Sequence, residues 1–165
     1  MQALHLMRSL FAYKAWANED LYDSVARLPA ETRAAELHAA LRVLNHIHVV
    51  DSIFAAHLQG QAHGYAGLNT PETPGLAELR ARVQASDRWY LGYLDTLSDM
   101  ALGEVLDFTF VDGKPGRMSR AEMLLHVATH GNYHRGAVGR ILVQAEVAPP
   151  PDALTVFLHR PATPA

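Results

Sequence analysis

Histidine offers this chain its most specific chemistry: ten of the 165 residues are histidine and none is cysteine. A metal ion here has only imidazoles and carboxylates to bind it, and neither disulfides nor thiolate sites can form. The segment LLHVATHGNYHRG sets His126, His130 and His134 at four-residue intervals. At about 100° per helical residue, the outer two lie about 40° to either side of His130. Met123, Val127, Ala137 and Ile141 share that arc, whereas Arg120, Asn132 and Arg140 fall away from it, so the histidine stripe is expected to face inward. Imidazoles at i and i+4 lie on adjacent turns, which sit about 5.4 Å apart, and can lean toward one ion. Two ligands under-coordinate a divalent cation, so a third is expected from a facing helix.

His46, in LNHIHVVDSIF, is the best-placed candidate. A wheel centred on it puts Val43, Val50, Ile53 and Phe54 within about 80°, and sends His48 to the far side with Asn45 and Ser52. Three nitrogens leave a coordination position for water or substrate, the arrangement of a catalytic rather than a structural site. The competing explanation is a set of core histidines satisfied by hydrogen bonds, which is the ordinary one for a lone histidine on an apolar face. Three on one stripe weigh against it, because each unpaired polar group costs about 1–3 kcal/mol.

Around this triad the roles are looser. His126 suits a position behind the ligands, orienting one of them, better than a place among them. Asp51, read at the edge of the second helix's inward face, could accept a hydrogen bond from a ligand's other ring nitrogen or act as a base; an ordinary surface carboxylate is an equal reading. Tyr133 leans inward on the wheel and is a candidate pocket residue, and Arg135 a partner for a carboxylate on a neighbouring helix. His5, His38, His63 and His159 have no partner spacing and read as solvated or loop residues. His57, about 20° from His46 and three turns on, reads as a packed core histidine.

These residues need helices to position them. Leu6, Leu10, Tyr13, Ala17, Leu21 and Val25 recur at helical spacing over residues 3–28, and Pro29 ends the run. A second helix is expected over residues 35–58 and a third over 76–97, separated by the Gly/Pro-rich GQAHGYAGLNTPETPG, which reads as a loop crossing the end of the bundle. EVLDFTFV alternates like a strand and DGKPG supplies a turn, so a short hairpin or extended excursion should precede the last helix. Ser119 and Glu122 form a capping box that opens that helix, expected to run to about residue 146 and to end before Pro149, Pro150 and Pro151. DALTVFLHR reads as a short extended segment, and the PATPA end as loose. The fold class is all-α, a four-helix bundle in a single domain spanning residues 1–165.

Composition narrows the partners. Net charge is −3, and the densest basic stretch, Arg80, Arg82 and Arg88, is interrupted by Glu78 and Asp87, so no nucleic acid is expected. No apolar run approaches the roughly 18 residues of a membrane span, and the first twenty residues lack the continuous apolar core and cleavage site of a signal peptide. A cytoplasmic protein is expected.

Four separated stretches, LFAYKAWANEDLYDSVARLP, LNHIHVVDSIF, LLHVATHGNYHRGAVGRIL and PDALTVFLHR, together resemble the DinB/YfiT-like family along essentially the whole chain. The resemblance implies a bundle with a long crossover connection, a homodimer, and a metal bound by one histidine of the second helix and two of the last, positions held here by His46, His130 and His134. His126 matches a further histidine often seen in the last motif. Tyr133 stands where a second histidine is common and Ala137 where a glutamine is; neither departure removes a ligand. Relatives include transferases and isomerases that use low-molecular-weight thiols such as bacillithiol or mycothiol. The implied activity is thiol transfer to a small electrophile at a zinc or nickel ion, with a thiol cosubstrate, or metal-activated hydrolysis. The alternative is a non-catalytic metal- or ligand-binding stress-response dimer, whose site a fourth protein ligand, His126 or Asp51, would close.

Overall fold

The apolar spacing generates four long helices: α1 (Ala3–Val25), α2 (Ala34–Leu58), α3 (Leu76–Asp95) and α5 (Arg120–Gln144), with two short ones, α4 (Asp99–Leu102) and α6 (Leu154–His159). The computed structural model describes residues 3–161, so the PATPA segment, Pro161 excepted, lies outside the described residues. Strands β1 (Val105–Thr109) and β2 (Pro115–Ser119) pair antiparallel between α4 and α5. The chain is thus broadly all-α with one small hairpin, as expected. Each of α1 and α2 packs against both α3 and α5.

The helix ends are built by local chemistry. Ser119 Oγ accepts from the Glu122 amide at 3.2 Å while the Glu122 carboxylate accepts from the Ser119 amide at 2.7 Å, completing the capping box of α5; such a cap is worth about 1 kcal/mol. At the end of α2, Gly60 takes φ +66°. The amides of Gly60 and Gln61 donate to the carbonyls of His57 and Ala56, a Schellman ending that turns the chain back sharply. In the hairpin, Phe108 faces Gly116 across the register and lays its ring over it. A Cβ at Gly116 would sit inside that ring's van der Waals envelope. The Gly116→Ala substitution is therefore expected to displace Phe108 and cost about 1–3 kcal/mol, read as a lowered denaturant midpoint; an unchanged midpoint would show that the ring moves freely.

The core holds two large apolar clusters with a polar layer between them, and a small third cluster of Tyr13, Ala17 and Phe157. Leu21, Tyr22, Leu44, Leu79, Val83, Val138 and Leu142 belong to one, and Phe11, Val50, Phe54, Tyr90, Leu94, Met123 and Val127 to the other. Between them on successive long helices lie Lys14, Asp51, Asp87 and Arg135, all buried. Lys14 Nζ donates to Asp51 at 2.8 Å and to Asp87 at 2.7 Å, and Asn18 donates to the other oxygen of Asp87 at 2.7 Å. The two carboxylates hold the Lys14 ammonium charged against its burial, and burial lifts Asp51 to about 6 against the pull of Lys14.

Two expectations fail in the tail. DALTVFLHR is not extended: residues 154–159 are helical, and Phe157 packs on Tyr13 and Trp16. Arg135 pairs not with a neighbouring helix but with Asp152 of the segment before α6, at 2.7 Å and 3.2 Å, while Tyr13 donates to the same carboxylate. Asp152 thereby ties the tail to a guanidinium that has nearly no solvent contact. Asp152→Ala is expected to lower stability by about 2–3 kcal/mol, because it strands that charge; urea denaturation measures it, and a loss under 0.5 kcal/mol would mean that the tail does not need the pair.

Candidate metal centre

α2 and α5 lie side by side, and their contact sets the site. His46 on α2 faces His130 and His134 on α5, with ring centroids 4.9 Å and 4.6 Å away; the two α5 rings are 4.4 Å apart. One nitrogen from each of the three lies within 4.8 Å of the others, and together they are a group that could hold a metal ion. All three rings are half-buried, at the margin of the core rather than its centre.

His46 is oriented from behind. Its Nδ1 lies 2.7 Å from the Leu68 carbonyl oxygen, which can only accept, so Nδ1 carries the proton and Nε2 presents its lone pair to the site. The loop that brings Leu68 there is pinned to α2: Asn45 donates to Asn69 and Thr70, Asn69 donates to the Arg42 carbonyl, and Arg42 donates to the Thr70 carbonyl. The Asn-His pair of LNHIHVV in this way supplies one member of the group and the anchor of the loop that aims it.

The donor set suits a cation. His46 Nε2 and His130 Nε2 are 3.0 Å apart, close to the roughly 3.3 Å between neighbouring nitrogens of a tetrahedral site with 2.0–2.1 Å bonds. Two lone pairs at that distance repel unless a proton or a metal lies between them. His130 Nδ1 is buried without a partner among the described residues. Burial first, then the neighbouring His134 and His46, push the His130 imidazole down to about 3, and burial with His46 also lowers His134. Both stay neutral near pH 7, the state a ligand requires.

Several expectations about the surroundings are corrected. The buried face of α5 runs through Leu124, Val127, Gly131, Arg135, Val138 and Leu142, rotated by roughly 100° from His130. The histidine stripe therefore lies along the edge of the core. His126 is exposed, stacked on His130 at 5.5 Å and tilted on Phe54 at 4.6 Å, outside the group of three. Tyr133 does not lean inward: it is 77% exposed, with its ring edge-on to His134. Ala137 is exposed as well. Asp51 is neither a surface carboxylate nor a partner of the histidines, being sequestered with Lys14. His48, expected on the far side of α2, is buried, and burial lowers it to about 4.

The sequence reading missed one pairing. His63, read as a loop histidine, stands edge-on to His57 with centroids 5.3 Å apart. Gly60 was the available signal, since a helix-ending glycine followed three residues later by histidine predicts a chain folded back over the last turn.

Among the described residues, no helix is long and apolar enough to cross a membrane. The chain is similar to Protein DinB of Bacillus subtilis (strain 168), with 24% identity over 167 residues that cover 93% of this chain and 94% of that one. No solved structure matches it. The model of the DinB family matches residues 1–163, nearly the whole chain and a span that includes both histidine segments of the α2–α5 contact: the chain belongs to the DinB family.

Proposed function

We propose that the chain is a metal-dependent enzyme in which His46, His130 and His134 hold one divalent ion, zinc or nickel. The observation that carries this reading is the convergence of three imidazole nitrogens from two helices within 4.8 Å. When bound, the ion would lower the pKa of a thiol or water brought to its remaining position and so supply a nucleophile at neutral pH. Thiol transfer to a small electrophile, with a low-molecular-weight thiol as cosubstrate, is the first reading; hydrolysis by water at the same place is the second. The chain's own contribution is to keep His46 in one tautomer through Leu68 and to keep His130 and His134 unprotonated.

A non-catalytic binder would close the site with a fourth protein ligand. Both candidates for that role are engaged elsewhere, Asp51 with Lys14 and His126 against Phe54, which favours the enzyme. We read the four long helices as a four-helix bundle in a single domain, with residues 59–75 as its crossover connection, and the protein as a cytoplasmic homodimer.

Cobalt-loaded protein titrated with a small thiol separates the two chemistries. A sulfur-to-cobalt charge-transfer band in the wild type, absent from His134→Ala, is the expected result. A loaded site that gives no such band would remove thiol transfer and leave hydrolysis.

A further inference from the structure

Eleven residues beyond His46, His57 returns to within about 20° of the same face of α2, about 16 Å further along the axis. The turn at Gly60 brings His63 over it. Phe108 of β1 lies 4.7 Å from the His57 ring and Phe54 packs edge-on to it at 5.9 Å. Nε2 of His57 and Nδ1 of His63 are both buried and have no partner among the described residues. Both residues line a cavity of about 410 Å³, together with Gly60, Gln61, Asp107 and Phe108. His126 continues from these rings toward the triad, tilted against Phe54 at 4.6 Å and stacked on His130 at 5.5 Å. A continuous row of rings therefore runs along the α2–α5 edge from the metal centre to the hairpin.

We infer that this row is a ligand groove, in which His57 and His63 receive a carboxylate at the far end of a small molecule whose near end seeks the metal. The inference rests on the metal reading above and names the substrate class of that site: an extended carboxylic acid with an apolar middle. Two imidazoles can each turn an N–H toward one acceptor group, and a carboxylate offers two oxygens to meet them. The phenyl and imidazole faces between the two ends suit an apolar spacer. Asp107, the one carboxylate lining the cavity, is offset by Arg117, which donates to it at 2.8 Å. A second metal ion fits less well, because the triad is the one group of three convergent donors among the described residues.

The probes are mercaptoacetate, ω-mercaptoundecanoate and ω-mercaptoundecanol, titrated calorimetrically into the zinc-loaded full chain. The long acid should bind the wild type about tenfold or more tightly than the long alcohol. The His63→Ala variant should lose that difference while binding mercaptoacetate as the wild type does. Equal affinities for acid and alcohol, or a difference that survives in His63→Ala, would overturn the inference; so would a second equivalent of zinc that disappears in that variant. Decanoate titrated into His134→Ala tests the pair without the metal, and should shift the imidazole NMR signals of His57 and His63. No shift overturns the carboxylate assignment whatever the thiols do, whereas failure of mercaptoacetate alone overturns the thiol reading of the triad.

Discussion

Replacing Lys14 by methionine is expected to remove about 3–5 kcal/mol of stability, a large part of what holds a domain of this size together. The methionine fills most of the same space, so packing is not what is lost. The loss comes from Asp51 and Asp87, two buried carboxylates that share Lys14 as a cation. Asn18 still donates to Asp87, but Asp51 is left with an oxygen that already has no partner among the described residues. Urea denaturation at neutral pH measures the effect. Combining Lys14→Met with Asp51→Asn and Asp87→Asn should recover part of the loss, because the amides bury no charge. A Lys14→Met protein within 1 kcal/mol of wild type would mean that the layer is reached by water and is no buried ion cluster.

The second large effect is the coupling of the triad to stability. On the proposed function, zinc or nickel is expected to bind the folded chain, which gathers the three nitrogens, far better than an unfolded one. At a hundredfold excess over Kd the gain is about 3 kcal/mol, or roughly 5–10 °C in Tm. Chelation should abolish that gain in the wild type. His130→Ala and His134→Ala should show no metal response, and in His130→Ala the variant also discards a buried Nδ1 that lacks a partner. A metal-dependent rise in Tm that persists in both variants would place the ion elsewhere.

Much of this architecture is legible in the sequence because it is local. Three- and four-residue apolar spacing, Pro29, the Ser119–Glu122 box and the DGKPG turn each act within one or two helical turns, and the elements they predict appear within a few residues of their expected ends. The triad is legible for the same reason, as an i, i+4 pair with one partner to find. The tail was misread because LTVFLH, under two turns long, has the same apolar pattern as a short strand.

Long-range pairing is what the sequence hides. Counting the histidines of α5 as core residues drew its predicted inward face toward His130, while Gly131 and Arg135, read as neutral and polar, lie on the true one. The Lys14 stem runs beside Gly131, where an added Cβ would still meet it at ordinary van der Waals distance. A lysine within an amphipathic pattern ordinarily carries its ammonium out to water; that Lys14 does not follows from carboxylates on two other helices. The same blindness explains Asp51, read as an edge or surface carboxylate and enclosed by the neighbouring helices.

Metal content of untagged protein, determined by inductively coupled plasma mass spectrometry beside His130→Ala and His134→Ala, tests the metal centre most directly. About one equivalent of zinc or nickel is expected in the wild type and none in either variant. A wild type without stoichiometric metal after reconstitution, or variants that retain it in full, would contradict it.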